Sequence, residues 1–265
     1  MATQALLTLA RRRLSLSAHT PREFIVPLLT PILFAVVIAP ALATQMGAHS
    51  TSAYMTYVAI GTVGLLVPLS CMFAGIGIIV DRETGAQREL LAAPVSRRLI
   101  VAGNLMVALG VSALQLAALL VAARLRGSEF HVTGSGIGWF VGGSLLLAVA
   151  MYGFAEVLAS RVQRQEEYVG AVPAIAIIPW FFAGSLFPLA ALPAGLAVFA
   201  KVLPLTHVLA LLRYGLVDPS GAGLRDIWNM SNTTEMAALS LGVVAVFAAG
   251  VTLLAMRLFR RSAVR

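Results

Sequence analysis

At 265 residues, with 59% hydrophobic and 11% charged side chains and a mean hydropathy of +0.91, the chain is far more apolar than soluble domains, which carry about 25% charge. A water-facing globule is excluded. The formal net charge of +8 does not read as a nucleic-acid surface, because the basic residues cluster at the ends of apolar runs, as lipid headgroups and insertion topology favour.

Six stretches are long enough to cross about 30 Å of hydrocarbon at about 1.5 Å per residue. They fall near residues 24–43, 54–80, 99–123, 137–160, 169–188 and 236–257. Barrel strands alternate apolar and polar positions, whereas these runs are apolar on every face. The expected fold is all-α, a single six-span transmembrane domain over residues 1–265. Cys71, the one cysteine, lies inside an apolar run with no metal-ligating company and reads as helix packing.

Before the first span, residues 3–17 read as a short basic helix within an interfacial segment, 1–20. Leu6, Leu7, Ala10 and Leu14 would sink into the membrane face, Arg11 and Arg12 would reach phosphates, and Arg13 would snorkel. Arg11 to Arg13, an apolar run and Ala41-Leu42-Ala43 also imitate a signal peptide. Against cleavage, Thr20-Pro21-Arg22-Glu23 fits a helix start with a capping box.

The segment between the second and third spans, residues 81–98, is dense in charge and must face water. Thr84-Gly85-Ala86-Gln87 fits a second capping box, which predicts a two-turn helix from Gly85 to Ala92, ended by Pro94. With both termini in the cytoplasm, fourteen of the nineteen basic residues lie inside, and the 81–98 loop lies there too.

The fourth span carries Glu156, about one turn from Arg161, where it reads as a snorkelling interfacial carboxylate. Read instead as a proton relay, it would suit a secondary transporter. A membrane enzyme would need grouped ionisable residues at depth, and His19, His49, His131 and His207 do not group.

After the fifth span, prolines 188, 193 and 204 divide the chain into apolar pieces of about ten residues, too short to span. Residues 189–217 therefore read as re-entrant or interfacial helices on the outer side, serving as a gate or as a packing lid. His207 there reads as a structural cap.

Taken together, Glu83-x-Gly85 with Leu90-Leu91-x-x-Pro94-Val95-Ser96-Arg97 after the second span, and Gly184-x-x-Phe187-Pro188 with Leu192-Pro193, Pro204-Leu205-Thr206 and Arg213 after the fifth, resemble the ABC-2 family of transporter permeases. Within it the chain is similar to the subunits of daunorubicin-type drug exporters and nodulation lipo-oligosaccharide exporters. The resemblance implies a permease subunit, not itself an enzyme, in which the loop helix couples to a separate pair of ABC ATPase subunits. Carried over by position, Arg82, Glu83, Gly85, Arg88, Glu89 and Leu90 would engage that ATPase, with Pro94 and Arg97 fixing the helix's exit. Phe187, Pro188, Pro193, Pro204, His207 and Arg213 would belong to the outer gate. A second permease, identical or paralogous, would complete the pathway, which spans one, two and five would chiefly line.

No G-x-x-x-x-G-K-[ST] occurs, and the single lysine, Lys201, belongs to no phosphate loop. ATP and Mg are thus expected on the partner, with no cofactor on this chain. The Arg-rich, Lys-poor usage points to a bacterial source and hence to its cytoplasmic membrane. Apolar walls suit a hydrophobic drug or lipid, with a lipo-oligosaccharide or glycolipid as the alternative cargo.

Overall fold

The computed structural model describes residues 2–18, 25, 29, 32–38, 40, 41, 44 and 51–262. Among these no strand occurs. The helices are α1 (Ala2–Ala18), α2 (Thr51–Ala74), α3 (Ile76–Glu83), α4 (Ala86–Ala92), α5 (Arg97–Leu125), α6 (Gly134–Arg161), α7 (Gln165–Phe182), α8 (Ala194–Val202), α9 (Pro204–Leu216), α10 (Ala222–Trp228) and α11 (Thr233–Ser262). A π-helical turn, Phe34–Ile38, lies against α2 and α5. The expected first span falls largely, and the Thr20 capping box and the Ala41-Leu42-Ala43 site wholly or in part, outside the described residues.

Four segments are long and apolar enough to cross a membrane: Ser52–Glu83, Arg98–Leu125, Gly134–Arg161 and Thr233–Leu258. The pair α8–α9, bent by 83°, makes a fifth if it counts as one span. This is an all-helical, multi-pass membrane protein. α7 stands where the fifth span was expected, but it is not among the segments long and apolar enough to cross. It starts earlier, with Glu166 and Glu167 in its first turn, and stops at Phe182 rather than at residue 188. It stops there because Gly184 adopts a left-handed φ of 74°.

α2 and α6 form the centre. α6 packs on α2, α9 and α11, and α2 packs on α5, α6 and α7. Ile60, Leu66, Met72, Tyr168, Trp180 and Leu209 are fully buried between them, as is Cys71. By contrast α5 and α11 turn bulky apolar side chains outward, with Leu114 72% and Val246 75% exposed. Such surfaces suit hydrocarbon as solvent, where an outward leucine costs nothing.

The second span is one apolar segment with a break. At Gly75 the ladder shifts, the Gly75 amide bonding to the Met72 carbonyl (3.0 Å) and Ile78 to the Gly75 carbonyl (3.0 Å). Carbonyls freed at such a break need outside donors. Tyr168 of α7 donates its hydroxyl to Met72 (2.6 Å), and Arg13 of α1 donates to Ala74 (3.0 Å).

Candidate functional site

The 81–98 segment forms a compact corner rather than a free loop. α3 continues the span to Glu83, and Gly85, at φ 80°, reverses the chain into α4. That left-handed conformation favours glycine because any other residue's Cβ would crowd its own adjoining carbonyl oxygen, although no neighbouring element stands in the way. The helix over Ala86–Ala92 occurs as expected, but the predicted Thr84 capping box does not form. The Thr84 hydroxyl donates back to the Val80 carbonyl (2.8 Å), closing α3, and no side chain caps α4. Ala93 is extended (ψ 148°), as a residue before proline must be, and α5 begins at Arg97.

This corner is braced from three sides. Arg12 grips Asp81 through two bonds, Nη2 to Oδ1 at 2.8 Å and Nη1 to Oδ2 at 3.3 Å. Arg82 donates to the carbonyls of Ala159 (2.8 Å), Val162 (2.6 Å) and Gln163 (3.2 Å), placing its cation at the C-terminus of α6. Gly77 leaves the room that the Arg13 guanidinium fills, since a Cβ there would overlap it.

The arginines of α1 therefore correct the sequence expectation. Arg11 is exposed and remains available to phosphates, but Arg12 is spent on Asp81 and Arg13 is buried rather than snorkelling. α1 is docked along α5, with Leu9 against Gly103, while Leu7 and Leu14 stay exposed. Glu156 is a second correction: it is 4% exposed and accepts a bond from the Tyr152 hydroxyl (2.7 Å), so it does not snorkel. It lines a small cavity with Asp81, Gln87, Leu90, Leu91 and Asn104, directly beneath α4. The position of Arg161 one turn away made the snorkelling reading attractive, but the side chain turns inward to Tyr152 instead.

Of the residues assigned to this corner, Glu83, Arg88, Glu89 and Pro94 are exposed, Gly85 and Leu90 half-buried, and Arg82 turned toward α6. Glu83, Arg88 and Glu89 form the open charged face. Asp81, Tyr152 and Tyr168 were missed by sequence reasoning, and Arg12 and Arg13 were given the wrong partners. A carboxylate at the very end of an apolar span, with three arginines in a nearby helix, was the available signal for Asp81.

At the opposite end of α2, Arg213 of α9 lies over the Tyr57 ring, 3.5 Å from its centroid, and donates to the carbonyls of Ser185 (3.0 Å) and Tyr57 (3.5 Å). Tyr57 donates its hydroxyl to Gly184 (2.8 Å), and Trp180 donates to Gly61 (2.7 Å). The turn after α7 is thus tied to α2 by backbone carbonyls. His207 faces elsewhere: its Nε2 meets the Lys201 carbonyl (3.0 Å), its Nδ1 meets Ser240 Oγ (3.2 Å), and its ring lies 5.5 Å from that of Trp228. With Thr206 donating to Ala200 (2.6 Å), His207 closes the C-terminus of α8 on α9, which is the cap expected. Pro193 and Pro204 start α8 and α9, whereas Phe187 and Pro188 are exposed between α7 and α8. His207 and Arg213 are not brought together, and Tyr57 had no sequence signal.

No curated protein matches the chain significantly. A family model described as ABC-2 type transporter matches residues 4–217, which takes in α1, the braced corner and the α8–α9 pair. The chain belongs to the ABC-2 type transporter family and is its membrane-spanning permease component.

Proposed function

We propose that the chain is the transmembrane half of an ATP-driven exporter, working with a separate pair of ABC ATPase subunits and a second permease, and moving a hydrophobic or amphipathic drug or lipid out of the cell. The observation that carries this reading is α4, a short helix with an open charged face set on a corner that α1 and α6 brace. Glu83, Arg88 and Glu89 meet the ATPase, Gly85 and Pro94 set the helix's entry and exit, Leu90 seats it, Arg97 starts the return span, and Arg82 ties the push to α6. ATP and Mg reside on the partner. ATP-driven closure of two ATPase subunits pushes α4, and the bundle rocks as a rigid body to shut the inner entrance and open the outer gate formed by the 83° α8–α9 pair. Phe187, Pro188, Pro193, Pro204, His207 and Arg213 shape that gate.

An apolar cargo is supported by a cavity of about 300 Å³ beside the gate, lined by Pro68, Met151, Phe154, Val208 and Phe247 among others and containing no ionisable group. A lipo-oligosaccharide or glycolipid is the second cargo. The orientation is termini inward, in the bacterial cytoplasmic membrane, as the arginine distribution favours. The test is co-purification with a candidate ABC ATPase and measurement of its hydrolysis with and without this chain. Altered hydrolysis lost in Glu83→Lys supports the proposal; no association with any ATPase sinks it. In that event the buried Glu156 favours a proton-coupled carrier, and transport by Glu156→Gln becomes the deciding measurement.

A further inference from the structure

Beside the Arg213 clamp lies a cavity of about 200 Å³ between α2, α9 and α10, whose charged groups are Arg213, Asp218 and Asp226. Arg213 is 9% exposed, and its Nε is buried with no hydrogen-bond partner. Among the described residues no carboxylate lies within ion-pair distance of it. The Tyr57 ring and two carbonyls offset part of the cost of burying this guanidinium, but its Nε and its charge are left for an anionic ligand to answer.

The two carboxylates differ. Asp218 is occupied, accepting from the Ser220 amide (2.9 Å) and hydroxyl (2.6 Å) and from the Ala222 amide (2.8 Å). Asp226, half-buried on α10, makes no hydrogen bond or ion pair among the described residues. A simple anion would meet Arg213 but be repelled by both aspartates, and a simple cation would meet Asp226 but be repelled by Arg213. Only a compact group carrying both charges answers the whole cavity.

Depth selects the source. The apolar segment Ser52–Glu83 has 32 residues, about 48 Å of helix against about 30 Å of hydrocarbon. The helix overruns the hydrocarbon by about 18 Å, and Tyr57, which lines the cavity, stands in the second turn of α2, next to the end of the span and so within a lipid headgroup's reach. The volume holds several waters at about 30 Å³ each, which is a headgroup's worth and not a whole lipid. We infer that this cavity binds the zwitterionic headgroup of a membrane phospholipid bearing a primary ammonium, its phosphate on Arg213 and its ammonium on Asp226. The inference rests on the cavity's own groups and not on the direction of export.

The test uses the full chain purified in a neutral detergent and titrated with short-chain phosphatidylethanolamine, phosphatidylglycerol and phosphatidylcholine, with retention read by native mass spectrometry. Phosphatidylethanolamine is expected to be retained at least tenfold better than the other two. Asp226→Asn, at a half-exposed site without structural bonds, is expected to lower its retention to that of phosphatidylglycerol. Arg213→Gln is expected to lose all three, and because Arg213 also holds Ser185 and Tyr57, the Asp226 variant decides the matter if that protein fails to fold. Equal retention of the three lipids by the unaltered chain, or unchanged selectivity in Asp226→Asn, overturns the proposal. Displacement of the lipid by equimolar glycerophosphoethanolamine would overturn the lipid as source and assign the site to a soluble zwitterion.

Discussion

The Arg12–Asp81 pair makes an asymmetric prediction. Its side chains are 34% and 10% exposed, so the two ends stand to lose different amounts when the other is removed. Asp81→Asn leaves Arg12 free to hydrate, and the loss should be about 1 kcal/mol, as for a partly exposed pair. Arg12→Gln strands a carboxylate that water barely reaches, and breaking a buried pair in this way costs about 3 kcal/mol. Once Asp81 is neutral, removing Arg12 should add little, so the double variant should resemble Asp81→Asn. The cycle then gives a coupling energy close to the whole Arg12→Gln loss, about 3 kcal/mol. The assay is unfolding of the purified chain by denaturing detergent in mixed micelles, with protease release of α1 as a second readout. Equal losses for the two single variants, adding in the double, would refute the reasoning, for they would mean that Asp81 is hydrated and α1 is held by its apolar face alone.

Three further outcomes follow from the geometry. Gly85→Pro cannot reach a φ of 80° because the ring fixes it near about −65°, so coupled transport should vanish while insertion persists, whereas Gly85→Ala should lose only about 1 kcal/mol of stability because nothing lies near its Cβ; normal transport by the proline variant removes α4 from the coupling path. Cysteines at Ala194 and Val202 should react with an impermeant reagent from outside the cell, while one at Leu209, which is fully buried, should not react from either side; labelling of the first two from the cytoplasm alone reverses the topology. Partial burial would raise the Asp218 carboxyl, but the Ser220 and Ala222 bonds and the nearby Arg225 outweigh it and hold it below its ordinary value. The sign follows: the turn's stabilisation is complete above about pH 4 and is lost as pH falls below that. Hydrogen exchange at the Ser220 and Ala222 amides should accelerate there in the native chain and show no such acid step in Asp218→Asn.

What the sequence revealed was set by hydropathy, and what it hid was set by single polar contacts. Four of the long spans and the α4 helix were legible because apolar length and Pro94 are local signals that tertiary packing had no reason to override. The break at Gly75 was not, since a glycine in an apolar helix is common and only Tyr168 and Arg13, 93 residues forward and 62 back, make it a joint. Thr84 misled because a capping box and a helix stop use the same hydroxyl, and the left-handed Gly85 decided between them. At the far end the prolines marked α8 and α9 correctly, while Arg213 gained its meaning from Tyr57, more than 150 residues upstream, which no spacing could reveal.

The joint at Gly75 also changes what α1 is for. An interfacial helix is ordinarily an anchor, and trimming an anchor weakens attachment without altering what it tethers. Here a chain shortened by its first 18 residues would leave the Ala74 carbonyl without its Arg13 donor and Asp81 without its counter-ion. The second span would then flex at Gly75, toward its cytoplasmic end, and a push on α4 would be absorbed as bending. α1 is in this sense a splint, and fusion tags or truncations at this end of the protein bear on how force travels through it as much as on where it sits.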